Sequence, residues 1–223
     1  MRIIIVGSRG RLGSVLTSMF TTAGHIAVGI DLSNAGSLDE EIRIADVALL
    51  AVPIAESIRL LKKYTPECPI IETSSVKEPF KEFRNRVISI HPLFGPLSVG
   101  EEGMNNIAFI SDISPSESID IVRSLFPDSN IVSMTADGHD LLAVQLQVIP
   151  YIMSILSSRI MVDTDVSTHS RKALASLARV SRVQNSEVLK DTIRLNQFSR
   201  SAFTHILETL MEIGGEYIDS RPA

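Results

Sequence analysis

The run RIIIVGSRGRLG, residues 2–13, constrains the fold more than any other stretch of the chain. A β-rich segment ends at Gly7, further glycines follow at Gly10 and Gly13, and apolar residues at Leu12, Val15, Leu16 and Phe20 take up helical spacing. A strand that passes through glycines directly into a helix is the opening of a dinucleotide-binding βαβ unit. Aligned on Gly10 and Gly13, the usual GxGxxG pattern puts Ser8 where its first glycine stands, with Gly7 beside it. Gly10 lets the backbone approach a pyrophosphate, Gly13 lets the helix pack close to the strand, and the helix N-terminus offers N–H groups to phosphates. The expected cofactor cradle is therefore Gly7, Ser8, Arg9, Gly10, Arg11, Leu12 and Gly13.

The following segments agree with that opening. Residues 26–30 (IAVGI) read as a second strand closed by Asp31, and 45–52 as a third, fully buried one. A helix is expected over 55–64, strands over 69–72 and 87–90, and possible additions to the sheet at 106–110 and 130–132. Strands that alternate with helices imply parallel pairing and a doubly wound sheet, Rossmann-like in class. Before the helix expected near 115–125, Ser114 is placed to cap, Pro115 to occupy the first position and Glu117 to complete a capping box. Strand signal fades near Asp137. Residues 138–162 read as a long apolar helix that Pro150 should kink, and helical patterning continues through 171–182 and 187–213, with Gly214 and Gly215 as its stop. The division expected is thus an α/β domain over 1–136 and an all-helical domain over 137–223. A helix this apolar wants burial all round, which so small a helical domain hardly supplies alone, so a homodimer joined through it is expected.

Asp31 stands where a ribose-binding acid is found. Its carboxylate accepts hydrogen bonds from ribose hydroxyls and repels a 2′-phosphate, and no arginine follows in DLSNAGS, so NAD is expected and NADP less so. The bland alternative is an Asx turn with Asn34. Val52 and Pro53, at the end of the third strand, join the expected cofactor set, because ligands of such sheets bind beyond the carboxyl ends of the strands.

Net charge of −5 argues against nucleic acid or a membrane surface as a partner, and leaves a small-molecule substrate. The single cysteine, Cys68, fits a reducing, cytoplasmic setting. The opening MRIIIVG is too short an apolar run for a signal peptide, and the apolar stretch 47–55 is far short of a bilayer span. No His/Cys cluster has metal-ligand spacing, so no metal is expected.

At ISIHPLFGP, residues 88–96, a histidine follows a buried strand, and Pro92, Gly95 and Pro96 shape the backbone after it. An imidazole with an ordinary pKa near 6.5 is suited to take a hydroxyl proton at neutral pH. The upstream segment ETSSVKEP, residues 72–79, ends another strand, so Ser75 and His91 are expected to meet over the reacting end of the cofactor. On residue type alone, Ser75 reads equally as a helix cap.

HPLFGP resembles the HPMFGP signature of the prephenate dehydrogenase family, with Leu93 in place of methionine. TSSVK, residues 73–77, is similar to that family's SVK segment, His139–Asp140 to the HD that opens its helical domain, and QNSEVLKDTIRLN, residues 184–196, to its late helical motif. The resemblance implies oxidative decarboxylation of prephenate to 4-hydroxyphenylpyruvate in tyrosine biosynthesis. His91 would draw off the ring-hydroxyl proton as hydride leaves for NAD, and Ser75 would orient His91 or touch the substrate hydroxyl. The substrate's carboxylates call for cations, and the family places an arginine a few residues before the glutamine motif. Arg179 is the first candidate and Arg182 the second, with a solvated helix face as the alternative. Where the family often carries a histidine, QVIPYI places Tyr151, and Gln147 is expected to share its contact. Tyrosine there also suits a relative acting on arogenate. A nucleotide-binding regulator without turnover is the reading from another class, which an intact His91 opposes. His139 reads as a helix-start residue.

Overall fold

The computed structural model describes residues 1–94 and 105–219. Gly95 and Pro96, invoked above for the turn after His91, lie outside the described residues. The chain divides into two compact units, Met1–His139 and Asp140–Ala223.

The first unit holds a seven-stranded sheet in the order β2-β1-β3-β4-β5-β6-β7. The strands are β1 (Arg2–Val6), β2 (Ile26–Ile30), β3 (Val47–Leu50), β4 (Ile70–Glu72), β5 (Ile88–Pro92), β6 (Asn106–Ile110) and β7 (Asn130–Met134). Side chains alternate across it, so each strand feeds two cores. Ile3 and Ile5 pack with Leu16 and Phe20 of α1 (Arg11–Thr22). Short α2 (Leu38–Glu41) is anchored by Leu38; Ile4, Val6 and Leu38 pack instead with Leu60 and Leu61 of α3 (Ile54–Lys63). Val122 and Leu125 of α4 (Ile119–Leu125) return to the α1 face. Helices on both faces make the sheet doubly wound, as the alternating pattern implies.

Pairing departs from the expected all-parallel sheet at one ladder. β6 runs antiparallel to β5, with Ile90 opposite Phe109 and His91 opposite Ala108, while β6 and β7 are parallel. Strand sequences carry burial but little direction, and this reversal left no trace in them. The expected cap at Ser114 is also not made: its Oγ accepts from Ser89 N at 2.9 Å, and a short 3-10 turn, Ser116–Ser118, precedes α4.

The second unit is helical. The boundary helix α5 (Ala136–Ala143) leads into a π-helical turn, Val144–Val148, and then α6 (Ile149–Ile160). The disturbance expected from Pro150 takes the form of that wider turn, because proline removes a backbone donor and crowds the preceding turn. The continuous run Ala136–Ile160 is long and apolar enough to cross a membrane, a property the shorter 47–55 stretch lacks. Next come α7 (His169–Val183), α8 (Ser186–Leu195) and α9 (Ser199–Asp219). The single helix expected over 187–213 is broken at Asn196, whose Nδ2 donates to Asp140 O at 2.7 Å and whose Oδ1 accepts from Phe198 N. Gly214 and Gly215 do not stop α9, which runs on to Asp219.

Candidate active site

In this strand order β2 lies on one side of β1 and β3 on the other, so the chain reverses its direction of winding at the carboxyl end of β1. That is where open α/β sheets bind ligands. The glycine loop occupies this position. Gly7 carries φ +88 and its N–H donates to Ile30 O at 2.7 Å, so the turn out of β1 is made at Gly7 rather than at the residue aligned with the first fingerprint glycine. A Cβ on Gly13 would lie 2.0 Å from Gly7 O, which explains why only glycine lets α1 start so close to the loop. Gly10 differs. It caps α1 in extended conformation (φ −67, ψ 166), and a Cβ there would meet only Gly7 O at 3.0 Å and Ala51 O at 3.7 Å. Its open side is a cradle that a side chain would fill, which fits a phosphate-bearing cofactor.

Ser8 is tied to the second strand. Its Oγ donates to Asp31 Oδ2 at 2.7 Å, and Arg9 N donates to the same oxygen at 2.7 Å. Gly29 makes room for this contact, since a Cβ there would lie 2.5 Å from Ser8 Oγ. The serine that departs from the fingerprint thus links the loop to the acid expected to bind ribose. Asp31 also forms the turn with Asn34 foreseen as its bland reading: Asp31 N donates to Asn34 Oδ1 at 2.7 Å. The turn is formed, and Asp31 Oδ2 meanwhile faces the glycine loop through Ser8 Oγ and Arg9 N. Arg9 and Arg11 are exposed, Leu12 packs partly into the α1 core, and half-buried Val52 and Pro53 lead from β3 into α3.

His91 lies inside β5, not at its mouth. The strand continues through Pro92, and Leu93 N still bonds Asn106 O at 2.8 Å. Alternation puts Ser89 and His91 on one face of the sheet, with Glu72 registered opposite Ser89. A buried polar cluster has formed there. Lys77 Nζ donates to Glu72 Oε1 at 2.6 Å and to Ile90 O at 2.7 Å, and both charged side chains have no exposed surface. Glu72 also accepts from Ser89 Oγ and, at 2.8 Å, from Ser74 N. His91 Nδ1 lies 2.9 Å from His139 Nε2. Burial above all, then His139 and Lys77, hold the His91 imidazole well below its ordinary pKa, so it is neutral at pH 7. Ser75 sits half-buried in the loop that carries Lys77, while the neighbouring Ser74 Oγ is buried with no hydrogen-bond partner among the described residues. Such an orphaned hydroxyl at a strand's carboxyl end also suits a bound ligand.

Sequence reading missed Glu72, Ser89 and the contact of His139 with His91. Lys77 stood within the TSSVK motif without a function of its own. The available signal was a carboxylate just before that motif and the lysine that ends it, five residues apart.

Within the second unit, Tyr151 is buried and its hydroxyl accepts from Gln184 Nε2 at 3.0 Å. Burial raises the pKa of the phenol, partly offset by that bond, so it stays neutral. Gln147 lies half-buried in the π-helical turn, a geometry common at functional positions. Arg179 and Arg182 are exposed on α7.

Comparison with known proteins agrees with these observations. Residues 16–112 match the family model for the nucleotide-binding domain of prephenate dehydrogenase. The T-protein of Haemophilus influenzae is 29% identical over 103 residues, 42% of this chain and 27% of that protein. The match therefore spans about a quarter of that relative's length. Prephenate dehydrogenase from A. aeolicus, solved in complex with hydroxyphenyl propionate and NAD+, has a TM-score of 0.72 at 14% identity, over 98% of this chain and 92% of that one. Synechocystis arogenate dehydrogenase has a TM-score of 0.65 at 17% identity, over 97% and 93% of the two chains. At such identities these structures share the fold. The family match over residues 16–112 agrees with the resemblance that HPLFGP carries.

Proposed function

We propose that this chain, with a prephenate dehydrogenase nucleotide-binding domain at residues 16–112, oxidatively decarboxylates prephenate to 4-hydroxyphenylpyruvate with NAD as acceptor, as a step in tyrosine biosynthesis. The observation that carries this reading is His91: a buried imidazole, kept neutral, on the sheet face that also holds Lys77 and Glu72. A general base must be unprotonated at the pH of reaction, and this one is.

Gly7 to Gly13 and Asp31 would hold the cofactor, which when bound supplies the hydride acceptor. The glycine loop and His91 are three strand spacings apart, roughly 14 Å, so a dinucleotide held on β1 would extend across β3 and β4 toward β5. His91 accepts the proton of the substrate's ring hydroxyl while hydride leaves the same carbon. The ring carboxylate then departs as CO2, and its bonding electrons complete the aromatic ring. Ser75 orients the hydroxyl. Arg179, with Arg182 second, binds a substrate carboxylate, and Tyr151 and Gln147 serve the substrate side chain. Asp31 favours NAD over NADP by repelling a 2′-phosphate. The apolar run Ala136–Ile160, whose most apolar stretch is largely unburied within the chain, would be covered by a second copy in a cytoplasmic homodimer.

Neutral Tyr151, where a cationic histidine would otherwise receive a keto acid, favours arogenate as a second reading. The test is NADH or NADPH formation by the purified protein with prephenate and with arogenate, each with NAD and NADP. Turnover with prephenate and NAD supports the first reading, and turnover confined to arogenate supports the second. NAD binding without turnover on either substrate overturns both.

A further inference from the structure

His139 lies in the first turn of α5, as its sequence context implies, but it is buried there at 2% exposure rather than solvated. Its Nε2 lies 2.9 Å from His91 Nδ1. The rings meet at 69° with centroids 5.1 Å apart, so they approach edge-on rather than stack. Two ring nitrogens at this distance share one proton, and one must donate while the other accepts. The direction decides the chemistry. If His139 donates, the proton of neutral His91 is forced onto Nε2 and the ring has no acceptor left for substrate. If His91 donates, its Nε2 carries the lone pair.

We propose that His139 is the positioning residue for His91: its Nε2 accepts the His91 Nδ1–H, which fixes the tautomer whose Nε2 takes the substrate proton. This rests on the reading of His91 as the base. When His91 becomes an imidazolium, the bond to His139 becomes charge-assisted and strengthens. The arrangement resembles the orienting role of the carboxylate in a Ser-His-Asp triad, but with a neutral acceptor. The difference suits an acidic substrate. A carboxylate at this place would raise the His91 pKa and repel a substrate bearing carboxylates of its own, whereas an imidazole orients the base without adding negative charge. Buried Lys77 beside the pair disfavours protonation of His91 at rest.

The direct test is a long-range proton–nitrogen NMR correlation on the histidine-labelled protein without substrate. His91 signals are assigned by their loss in His91→Asn. The expected result is the Nδ1-protonated pattern for His91 in the native chain and its loss in His139→Phe. In steady-state kinetics, His139→Phe should lower kcat roughly 10- to 100-fold, below the full worth of a general base, with KM within about twofold. His139→Gln, whose amide oxygen accepts the same bond, should recover most of that loss. An Nε2-protonated His91 in the native chain overturns the proposal, and so does a His139→Phe enzyme with native kcat. If neither substrate turns over, the catalytic reading fails, yet the NMR pattern still decides the tautomer. If His139→Phe does not fold, the native spectrum and His139→Gln decide it.

Discussion

Gly10→Ala separates the fold of the glycine loop from its function. Gly10 has φ −67 and ψ 166, values alanine adopts without strain, and its new Cβ would come no closer than 3.0 Å to Gly7 O. That contact is tight by a few tenths of an ångström. Against it stands the stiffening of the unfolded chain by alanine, about 0.4–1 kcal/mol in favour of folding at compatible sites. The two nearly cancel, so folding stability should change by less than about 1 kcal/mol, which for a chain this size is roughly 2–4 °C in Tm. Gly13→Ala is the control. Its Cβ would lie 2.0 Å from Gly7 O and 2.7 Å from Gly7 C, both backbone atoms that no rotamer change can move. An overpacked core costs about 1–3 kcal/mol when side chains can yield, and here they cannot, so Gly13→Ala should reach or exceed the upper end. Thermal unfolding and NAD titration of both variants form the assay. Gly10→Ala should melt like the native chain and bind NAD at least about 10-fold more weakly, because the methyl occupies the side that the pyrophosphate approaches. Native NAD affinity in Gly10→Ala would refute the cofactor cradle, and native stability in Gly13→Ala would refute the packing argument.

Further predictions follow from the buried cluster and the cofactor acid. Lys77→Met removes the cation from the buried Glu72–Lys77 pair and should cost about 3–5 kcal/mol in urea unfolding, with part regained in Glu72→Gln/Lys77→Met. Asp31→Ala removes a charged acceptor and should weaken NAD binding roughly 10- to 100-fold and narrow the preference over NADP, read by parallel titrations. Because the folded-state pKa of His91 is depressed, the folded chain resists a proton that the unfolded chain accepts. Its contribution to stability is therefore present above pH about 6.5 and is lost as pH falls through the folded value, and the acid limb of kcat/KM should lie below pH 6.5. Arg179→Ala should raise the substrate KM roughly 10-fold or more with NAD affinity unchanged, as expected for loss of a charge-assisted bond.

What could be read from the sequence was local. Gly7, Gly10 and Gly13 act within one turn, so their spacing announces the loop. Asp31 closes a strand that its own hydrophobic run defines. HPLFGP and TSSVK are short motifs, legible because their residues are adjacent in sequence. The rest depends on contacts between distant segments. Glu72 and Ser89 look unremarkable until β4 and β5 pair and set them side by side. Nothing near His139 shows that it faces a ring 48 residues away. The reversed β6 is invisible because alternating burial is the same for either strand direction. Asn196 breaks the expected long helix through a bond to Asp140, a tertiary contact that overrides helix-favouring neighbours.

The central claim is that His91 is the proton acceptor in an NAD-linked oxidation, and His91→Ala tests it most directly. NADH formation from prephenate or arogenate is followed alongside NAD binding to the same preparation. The account predicts a loss of turnover of roughly 100-fold or more with NAD affinity unchanged, since the base is removed and the glycine loop is untouched. Native turnover in His91→Ala would contradict it.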